Sequence, residues 1–391
     1  MKPGAESCHF NTLIMKSLIL ILISIITNNS LNAQPVHMTP ETEKMLKKHI
    51  KMQEILNKTV DGKKVFGTSF AIKQNNQAWT GFSGNFTFEQ PYFIASTSKL
   101  FTTAIILNLR SQGKLSLDDK ISQYIDGSVL DGLHVIHGKE YSKDISIRHL
   151  LSHTSGLPDY FQNKGKNGKS LEDEIIGGAD QHWTFEQAME RTKGLKPLFV
   201  PGTKGKAHYS DANFQLLGKI IEAVNGDTYV NTCEKLILQP LNLKKTYLYL
   251  DSNDTRPQPL HYGSKVLNIP KAMSSFGPDG GMVSTTDDML VFIEGFFTGK
   301  LFPATDIEEL QQWNRIFFPM KAGVGIHLFK LPWIFNPTGS VPTFIGHSGL
   351  SGALAFYSPK ENLYIVGTVN QVAHPDLSFK TMIKLSQVFL Q

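Results

Sequence analysis

Cysteine is scarce in this chain, with only Cys8 and Cys233 among 391 residues. Two cysteines cannot build the disulfide framework of a small secreted scaffold, and neither belongs to a C-x-x-C pair of the kind that binds zinc or carries redox chemistry. Packing of apolar side chains must therefore stabilise the fold. Hydrophobic residues make up 41% of the chain, enough at this length to build a sizeable core.

An excess of one charge is also missing. The chain has 39 Lys and Arg against 34 Asp and Glu, and the cations are scattered along it. Proteins that track phosphate backbones gather their cations into a block or stripe, so we expect no nucleic-acid partner. The glycine patterns of P-loop and dinucleotide-binding proteins are absent as well, and no cofactor is expected.

No apolar run is long enough to span a bilayer as a helix. The most apolar segment, Leu18–Ile26, falls short of the roughly 18 to 20 residues required. Lys16 precedes this segment and Ala33 ends a plausible cleavage site, which is the pattern of a signal peptide over residues 1–33. The sequence therefore predicts export, to the periplasm or the medium, without a stable membrane span. Met15 offers an alternative start to Met1.

The spacing of apolar residues predicts helices and strands at both ends of the remaining chain. The N-terminal part has an amphipathic helix over residues 39–58, a hairpin of Val65–Ile72 and Gln77–Phe82, and a helix over Leu100–Leu109 that ends at Gly113. The C-terminal part has three strands and a closing helix: Val324–Leu331, Ala353–Tyr357, Tyr364–Val369 and residues 376–390. Between them the pattern is mostly helical, as over residues 213–225. An α+β architecture assembled from both chain ends is expected.

A candidate nucleophile stands at the start of the most apolar helix. Ser96 and Lys99 are three residues apart, which places a hydroxyl and its proton acceptor on one face of a helix, one turn apart. The helix N-terminus can also stabilise negative charge there. The same spacing recurs at Ser111 and Lys114, where a polar loop follows a helix and a solvated turn explains it. A simple N-cap is the alternative for Ser96.

Two other hydrolase patterns are missing. The nucleophile elbow G-x-S-x-G does not occur, since the fifth position of the segment that begins at Gly346 is Leu350, so an α/β-hydrolase is disfavoured. His149 and His153 are four residues apart, as helical zinc ligands would be. No Glu lies between them to act as a general base, and no metal site is expected.

Five segments, in this order, resemble serine hydrolases related to class C β-lactamases and penicillin-recognising D,D-peptidases: FIASTSKLFTTA, IRHLLSHTSGLPDY, HYSDANFQLLGKIIEAVNG, GPDGGMVSTTDDMLVF and GHSGLSG. The resemblance covers the chain from about residue 40 to its end, and five segments in family order are far more specific than any one of them. It implies an α+β fold with an antiparallel sheet flanked by helices, from residues 34–112 and 276–391. A helical subdomain of residues 113–275 lies beside it, with the active site between the two.

The resemblance also implies catalytic roles. Ser96 matches the acylated serine, Lys99 its proton-accepting or charge-stabilising partner, and Tyr209 the tyrosine that moves a proton from serine and to the leaving group. Tyr229 matches the family's tyrosine-x-asparagine motif more closely than Tyr209 does. The residues after Tyr209, Leu216-Leu217-Gly218, follow the family pattern more closely.

The third family element, His347-Ser348-Gly349, is implied to line the substrate site. The backbone N–H groups of Ser96 and Leu350 are implied to form the oxyanion hole.

Two positions depart from the family pattern. Asp211 stands where asparagine is common, and a carboxylate there would hold Lys99 protonated and could not donate to a substrate carbonyl. This favours Tyr209 as the base, with a pKa that the nearby lysine lowers. His347 stands where class C β-lactamases usually carry lysine, and it offers a hydrogen bond and a conditional charge to a substrate carboxylate. Both departures place a peptidase or esterase above a β-lactamase.

The sequence therefore predicts an exported serine acyl hydrolase that forms an acyl-enzyme on Ser96. Its partner would be a small-molecule or peptide substrate: a cell-wall D-amino-acid peptide, an ester or a β-lactam. The expected activity is that of a D,D-carboxypeptidase, a D-amino-acid peptidase or an esterase. A β-lactamase is the first alternative, and a non-catalytic penicillin-binding-like sensor, motivated by Asp211, is the second.

Overall fold

The computed structural model describes residues 39–391, so the predicted signal peptide lies outside the described residues. Residues Lys47–Gln391 form one compact unit. The unit Met1–Leu46 is described from Thr39 onward, as the N-terminal turns of the first helix. Within the described range, no helix combines the length and the apolar character that crossing a membrane requires.

The strands are numbered along the described chain. They are β1 (Gly67–Gln74), β2 (Gln77–Gly84), β3 (Tyr92–Phe93), β4 (Val135–Ile136), β5 (Lys139–Glu140), β6 (Tyr247–Leu248), β7 (Leu260–Tyr262), β8 (Lys265–Leu267), β9 (Met282–Ser284), β10 (Asn314–Arg315), β11 (Met320–Ala322), β12 (His327–Phe329), β13 (Phe344–Ser348), β14 (Ala353–Ser358) and β15 (Leu363–Thr368).

The α-helices are numbered in the same way. They are α1 (Pro40–Thr59), α2 (Lys99–Ser111), α3 (Gly127–Leu130), α4 (Ile147–Leu151), α5 (Leu171–Ile176), α6 (Phe185–Lys193), α7 (Asp211–Asn225), α8 (Tyr229–Cys233), α9 (Gln239–Leu241), α10 (Pro270–Met273), α11 (Thr286–Phe297), α12 (Asp306–Leu310) and α13 (Asp376–Phe389). A π-helical turn, Glu234–Leu238, joins α8 to α9.

The large sheet draws its strands from both ends of the described chain, as predicted. Its order is β10-β11-β12-β13-β14-β15-β1-β2, and each neighbouring pair is antiparallel. The predicted N-terminal hairpin is confirmed: Gln74 pairs with Gln77 across the two-residue turn Asn75-Asn76, and Asn75 has a φ of 51°. The predicted C-terminal strands are confirmed as β12, β14 and β15, whereas β13 was not predicted. The α+β prediction is correct.

Two apolar layers cover the two faces of this sheet. Successive strand residues point to opposite faces, so Phe70 and Leu354 belong to the buried cluster that holds residues of α1 and α13, while their neighbours Ala71 and Ala355 belong to the cluster that holds residues of α2 and α11. Helix α2 is buried on nearly all sides, which suits a helix that is apolar all round. The helix ends at Ser111, and Gly113 follows with a φ of 70°, in agreement with the predicted end of the helix at a glycine. The catalytic candidates lie at its other end.

The region between the sheet segments consists of short helices and loops. Its longest helix, α7, contacts α2 through the shared core, with Leu216 and Ile220 among the residues buried there. Two small hairpins, β4–β5 and β7–β8, lie in this region. The predicted boundaries of the helical part stay a prediction.

Candidate active site

Ser96 lies in a single 3-10 turn, Ala95–Ser98, that runs directly into α2. Ala95 has a φ of 45°, in the left-handed region that non-glycine residues seldom occupy and that is often found beside functional groups. Neighbouring elements hold the turn in place: the Met282 N–H donates to Ser98 Oγ at 3.1 Å, and Ser351 Oγ donates to the Phe93 carbonyl at 2.8 Å. The serine is therefore presented on a rigid support.

Lys99 is the first residue of α2 and is completely buried. Its Nζ donates to three acceptors: Ser96 Oγ at 3.2 Å, Asp211 Oδ1 at 2.5 Å and the Asp279 carbonyl at 2.5 Å. An ammonium group has three N–H bonds, and here each has its own acceptor. The buried lysine thus has a carboxylate as its ion-pair partner.

Tyr209 is the tyrosine that reaches the serine. Its hydroxyl donates to Ser96 Oγ at 2.7 Å, whereas the Tyr229 hydroxyl is hydrogen-bonded to Thr102 Oγ1 at 2.8 Å, on the buried side of α2. The Tyr209 ring stacks on His153, with the ring centroids 4.6 Å apart. His153 is fixed in turn, because its Nδ1 accepts from the Ser210 N–H at 3.2 Å. The turn of residues 153–156, with the sequence HTSG, thus positions Tyr209.

The predicted lowering of the Tyr209 pKa is wrong. Burial and the charge of Asp211 raise the pKa of Tyr209 well above its ordinary value, although the hydrogen bond with Ser96 opposes the shift. Removing water from around a phenol disfavours the phenolate, and the carboxylates near it disfavour it further. The resting site therefore holds a neutral tyrosine beside a paired lysine.

Three buried aspartates surround the lysine: Asp159, Asp211 and Asp279. Burial and the charge of Asp211 raise the pKa of Asp279 to about 8, and the same two causes raise the pKa of Asp159 well above its ordinary value. Asp159 Oδ1 accepts from the Asp211 N–H at 3.2 Å, and Asp279 Oδ2 accepts from the Tyr160 hydroxyl at 2.7 Å. Asp211 is the carboxylate that pairs with Lys99, as the sequence predicted, and Asp279, with its pKa of about 8, is mostly protonated at neutral pH.

His347 lies on β13 and is buried. Its Nδ1 donates to the Ser348 carbonyl at 2.8 Å, and its ring stacks on His327 with centroids 4.0 Å apart. Burial, His327 and Lys99 hold the pKa of His347 well below its ordinary value. The predicted conditional charge is therefore wrong, since the imidazole is neutral throughout the physiological range.

Gly349 packs directly against the serine turn. A Cβ at this position would lie 2.3 Å from the Ile94 carbonyl oxygen and 3.1 Å from the Ser96 nitrogen, so only glycine allows the approach. Leu350 follows it and lines the same cleft as Ser96. Among the described residues, no backbone carbonyl accepts from the Leu350 N–H, which leaves this donor available.

The cleft beside Ser96 has a volume of about 600 Å³, including its open mouth, and most of its wall is apolar. Three acidic residues, Glu172, Asp211 and Asp279, are also among the residues that line it. Burial raises the pKa of Glu172, whose Oε2 accepts from Gln162 Nε2 at 3.2 Å. The apolar lining residues are Ala95, Phe161, Ile175, Ile176, Leu260, Leu267, Ile269, Met273, Phe276, Leu350 and Val372.

The structure brings the predicted residues to different parts of the site. Ser96, Asp211 and Leu350 line the cleft, and Lys99 and Tyr209 contact the serine from behind it. The third predicted group was expected to line the substrate site: His347, Ser348 and Gly349. These residues support the cleft, but they are not among the described residues that form its wall.

Several residues of the site were not predicted as such. Asp159 and Asp279 stand inside the quoted LPDY and GPDG stretches, where motif position is a signal that could have found them. His153 was considered above only as a zinc ligand, and its contact with Tyr209 gives it a positioning role. Glu172 and His327 belong to no recognisable motif.

Comparisons with known proteins identify the family and the fold. The family model named Beta-lactamase matches residues 53–387. A protein of Escherichia coli (strain K12), provisionally named a D-alanyl-D-alanine carboxypeptidase, is 26% identical over 353 residues, which are 78% of this chain and 78% of that protein.

Two solved structures have a similar fold. The D-stereospecific amidohydrolase from Streptomyces sp. has a TM-score of 0.69 and 24% identity, covering 85% of this chain and 97% of the other. The D-amino acid amidase from Ochrobactrum anthropi SV3, solved with L-phenylalanine amide, has a TM-score of 0.69 and 20% identity, covering 86% and 98%. With the family match over most of its length, the chain belongs to the Beta-lactamase family and is one of its serine hydrolases.

Proposed function

We propose that the protein is an exported amidase or peptidase that hydrolyses D-aminoacyl substrates through an acyl-enzyme on Ser96. The observation that carries the proposal is the position of Ser96 Oγ, 2.7 Å from Tyr209 Oη and 3.2 Å from Lys99 Nζ at the wall of an apolar cleft. A serine hydroxyl becomes an effective nucleophile only when a neighbouring group removes its proton during attack.

Tyr209 acts as a proton relay in this mechanism. Ser96 Oγ attacks the substrate carbonyl carbon while the Tyr209 hydroxyl turns its hydrogen toward the substrate nitrogen. In one concerted step Tyr209 Oη accepts the Ser96 proton and gives its own proton to that nitrogen, and the C–N bond then breaks. This sequence needs no resting phenolate, in agreement with the raised pKa of Tyr209. The Lys99 ammonium stabilises the negative charge that develops between Ser96 and Tyr209.

The N–H groups of Ser96 and Leu350 would stabilise the oxyanion. One such donor in a comparable site contributes about 2.7 to 4 kcal/mol to the transition state. The available Leu350 N–H and the contact between Gly349 and the Ser96 turn support this assignment. In the second half-reaction water attacks the acyl carbonyl, Tyr209 takes a proton from that water, and Ser96 leaves with a proton from Tyr209.

The wall of the cleft indicates the substrate class. Its apolar side chains suit an apolar acyl side chain, and Glu172 and Asp211 suit a cationic α-amino group. Among the described residues that line it there is no Lys or Arg, and His347 is neutral. Substrates that present a carboxylate, as D-Ala-D-Ala peptides and β-lactams do, therefore find no cationic partner in the cleft wall.

This contrast favours an amidase or aminopeptidase activity over a carboxypeptidase or β-lactamase activity. The names of the two solved structures, a D-stereospecific amidohydrolase and a D-amino acid amidase, support the same choice. Short esters of the same acyl groups are expected to be hydrolysed as well, because the acyl-enzyme is the same.

The test uses D-phenylalanine amide, D-Ala-D-Ala peptides, a short acyl ester and nitrocefin. Ser96→Ala should lower turnover of D-phenylalanine amide by a factor on the order of 10³ to 10⁶. Ser111→Ala is the matched control, since Ser111 has the same S-x-x-K spacing but is exposed and bonds only to the Asn108 carbonyl, at 2.7 Å. It should keep full activity.

Mass spectrometry with a fluorophosphonate completes the test. An adduct on Ser96 in the parent and none in Ser96→Ala supports the proposal. Equal turnover by parent and Ser96→Ala, or the absence of an adduct with every acyl donor, contradicts it, and the second result favours a binding protein. Preference for D-Ala-D-Ala peptides over D-phenylalanine amide would overturn the substrate assignment alone.

A further inference from the structure

Five large apolar side chains are exposed together at one end of the large sheet. They are Phe317, Phe318, Trp333, Ile334 and Phe335, here called the aromatic tip. Trp333 is 80% exposed, Phe318 71%, and Ile334 and Phe335 64% each. Soluble proteins scatter such residues singly, and a contiguous group of them marks an interaction site.

Strand pairing brings the two segments of the tip together. Phe317 and Phe318 lie in the turn between β10 and β11, and Met320, the first residue of β11, pairs with Phe329, the last residue of β12. The chain therefore leaves β12 beside this turn and forms the 3-10 turn Trp333–Phe335. The rings of Phe318 and Phe335 are 6.2 Å apart, so the two segments form one surface.

The tip projects from the molecule. A 3-10 helix has three residues per turn, so three consecutive side chains point in three directions. All three side chains of Trp333–Phe335 are at least 64% exposed, so the other described residues leave most of this turn uncovered. A projecting apolar turn with tryptophan and phenylalanine suits the interface of a lipid bilayer, where such side chains enter the acyl boundary without a complementary groove.

The charged residues of the chain segments that carry the tip have one sign. Arg315, Lys321 and Lys330 are exposed on the strands that carry it or directly after them, and residues 310–360 contain no Asp or Glu. In residues 39–391, no carboxylate forms an ion pair with any of these three cations. Cations next to an apolar surface are complementary to anionic lipid headgroups.

The tip adjoins the active site. The ring of Phe317 lies 6.4 Å from the ring of Tyr209 and 6.3 Å from that of His327. A surface bound by the tip would therefore lie next to the catalytic residues.

We propose that the aromatic tip docks the protein on bilayers that carry anionic lipids, with Trp333, Ile334 and Phe335 in the interface and Arg315, Lys321 and Lys330 on the headgroups. The docking is peripheral and reversible, because a few side chains enter the interface and none of the described helices is long and apolar enough to span it. The proposal does not depend on the chemistry at Ser96.

Sedimentation of the purified protein with large unilamellar vesicles tests the proposal. The vesicles are phosphatidylcholine alone or with about 30 mol% phosphatidylglycerol. The parent should bind the mixed vesicles, and Trp333→Ala/Phe335→Ala should lower the partition coefficient about tenfold or more. Arg315→Gln/Lys321→Gln/Lys330→Gln should remove the preference for phosphatidylglycerol. Phe88→Ala, which truncates a phenylalanine that is 51% exposed elsewhere, is the matched control and should bind like the parent.

A second measurement locates the contact. Brominated lipids should quench the fluorescence of Trp333, the most exposed of the chain's four tryptophans, and Trp333→Phe should lose this quenching while it keeps most of the binding. Hydrolysis of a soluble ester without vesicles should be the same in parent and Trp333→Ala/Phe335→Ala, which shows that the variant is folded. Equal vesicle binding by these two proteins, or no binding by the parent, overturns the proposal. Dimerisation that this variant abolishes, without vesicle binding, would assign the tip to a second copy instead.

Discussion

Asp211 Oδ1 lies 2.5 Å from Lys99 Nζ, so the lysine that contacts the candidate nucleophile is paired with a buried carboxylate. In the proposed mechanism this pairing leaves proton transfer from Ser96 to Tyr209. Asp211 also lines the cleft, where a substrate's acyl part would bind. The proposed chemistry and the proposed substrate preference both depend on this residue.

Replacing Asp211 should change substrate preference. Asp211→Asn keeps an acceptor for Lys99 but removes the negative charge and adds an amide donor for a substrate carbonyl. We expect kcat/KM for D-phenylalanine amide to fall about tenfold or more, and acylation by a fluorescent penicillin to rise. The ratio of the two rates is the measurement. Asp251→Asn, at an exposed loop carboxylate, is the control and should leave the ratio unchanged.

The proton relay makes a specific prediction about pH. If catalysis required a resting Tyr209 phenolate, log kcat would rise by about one for each pH unit between pH 7 and 10, because the pKa of Tyr209 is raised well above 10. The relay predicts no such rise with an amide substrate such as D-phenylalanine p-nitroanilide. Tyr209→Phe should lower kcat by about 10² to 10⁴. Tyr229→Phe, which removes a hydroxyl bonded to Thr102, should retain the parent's pH profile, whereas a unit slope in the parent would contradict the relay.

The sequence was sufficient to predict the main architecture and the contacts of Ser96. Segments with clear periodicity, such as α2 and the β1–β2 hairpin, appear where they were predicted, because their apolar spacing also determines which face they bury. The sequence favoured Tyr209 over Tyr229 on the residues that follow it, which form the buried face of α7, and in the structure Tyr209 is the tyrosine that is hydrogen-bonded to Ser96.

What could not be predicted depends on contacts between distant segments. The direction of the Tyr209 pKa shift follows from burial and from Asp211, whose effects exceed that of the nearby lysine. The neutral state of His347 depends on its burial and, after that, on the nearby His327 of the neighbouring strand and on Lys99. Glu172 reaches the cleft only because α5 packs beside it. Local sequence patterns carry no information on such distances.

Glu172 should select substrates that carry an α-amino group. Glu172→Gln keeps the size of the side chain and removes its charge, so we expect KM for D-phenylalanine amide to rise about tenfold with little change in kcat. An N-acetylated substrate should show no such difference. Glu174→Gln is the matched control, because Glu174 lies on the same helix but lines a different cavity. Equal KM values for parent and Glu172→Gln would contradict the assignment.

The same group should give the parent a pH-dependent KM. Burial raises the pKa of Glu172, so this carboxyl group takes up its proton at a higher pH than an ordinary glutamate as the solution is acidified. The KM for the cationic substrate should therefore rise as the pH falls through that raised pKa. Glu172→Gln should lack this dependence, and a parallel pH profile of KM in the two proteins would argue against a contact with the α-amino group.

Asp279 should make the protein less stable as the pH rises from 4 to 8. Its pKa is about 8 in the folded protein, against about 4 for an aspartate in an unfolded chain. Between these values the folded state binds a proton that the unfolded state has released, so this group's contribution to the free energy of unfolding falls as the pH rises through that range. Asp279→Asn imitates the protonated carboxyl and keeps an acceptor for Tyr160 and Gln215, which both donate to Oδ2. The urea midpoint of Asp279→Asn should therefore increase relative to the parent from pH 5 to pH 8, and midpoints that change in parallel would show that Asp279 is ionised in the folded protein.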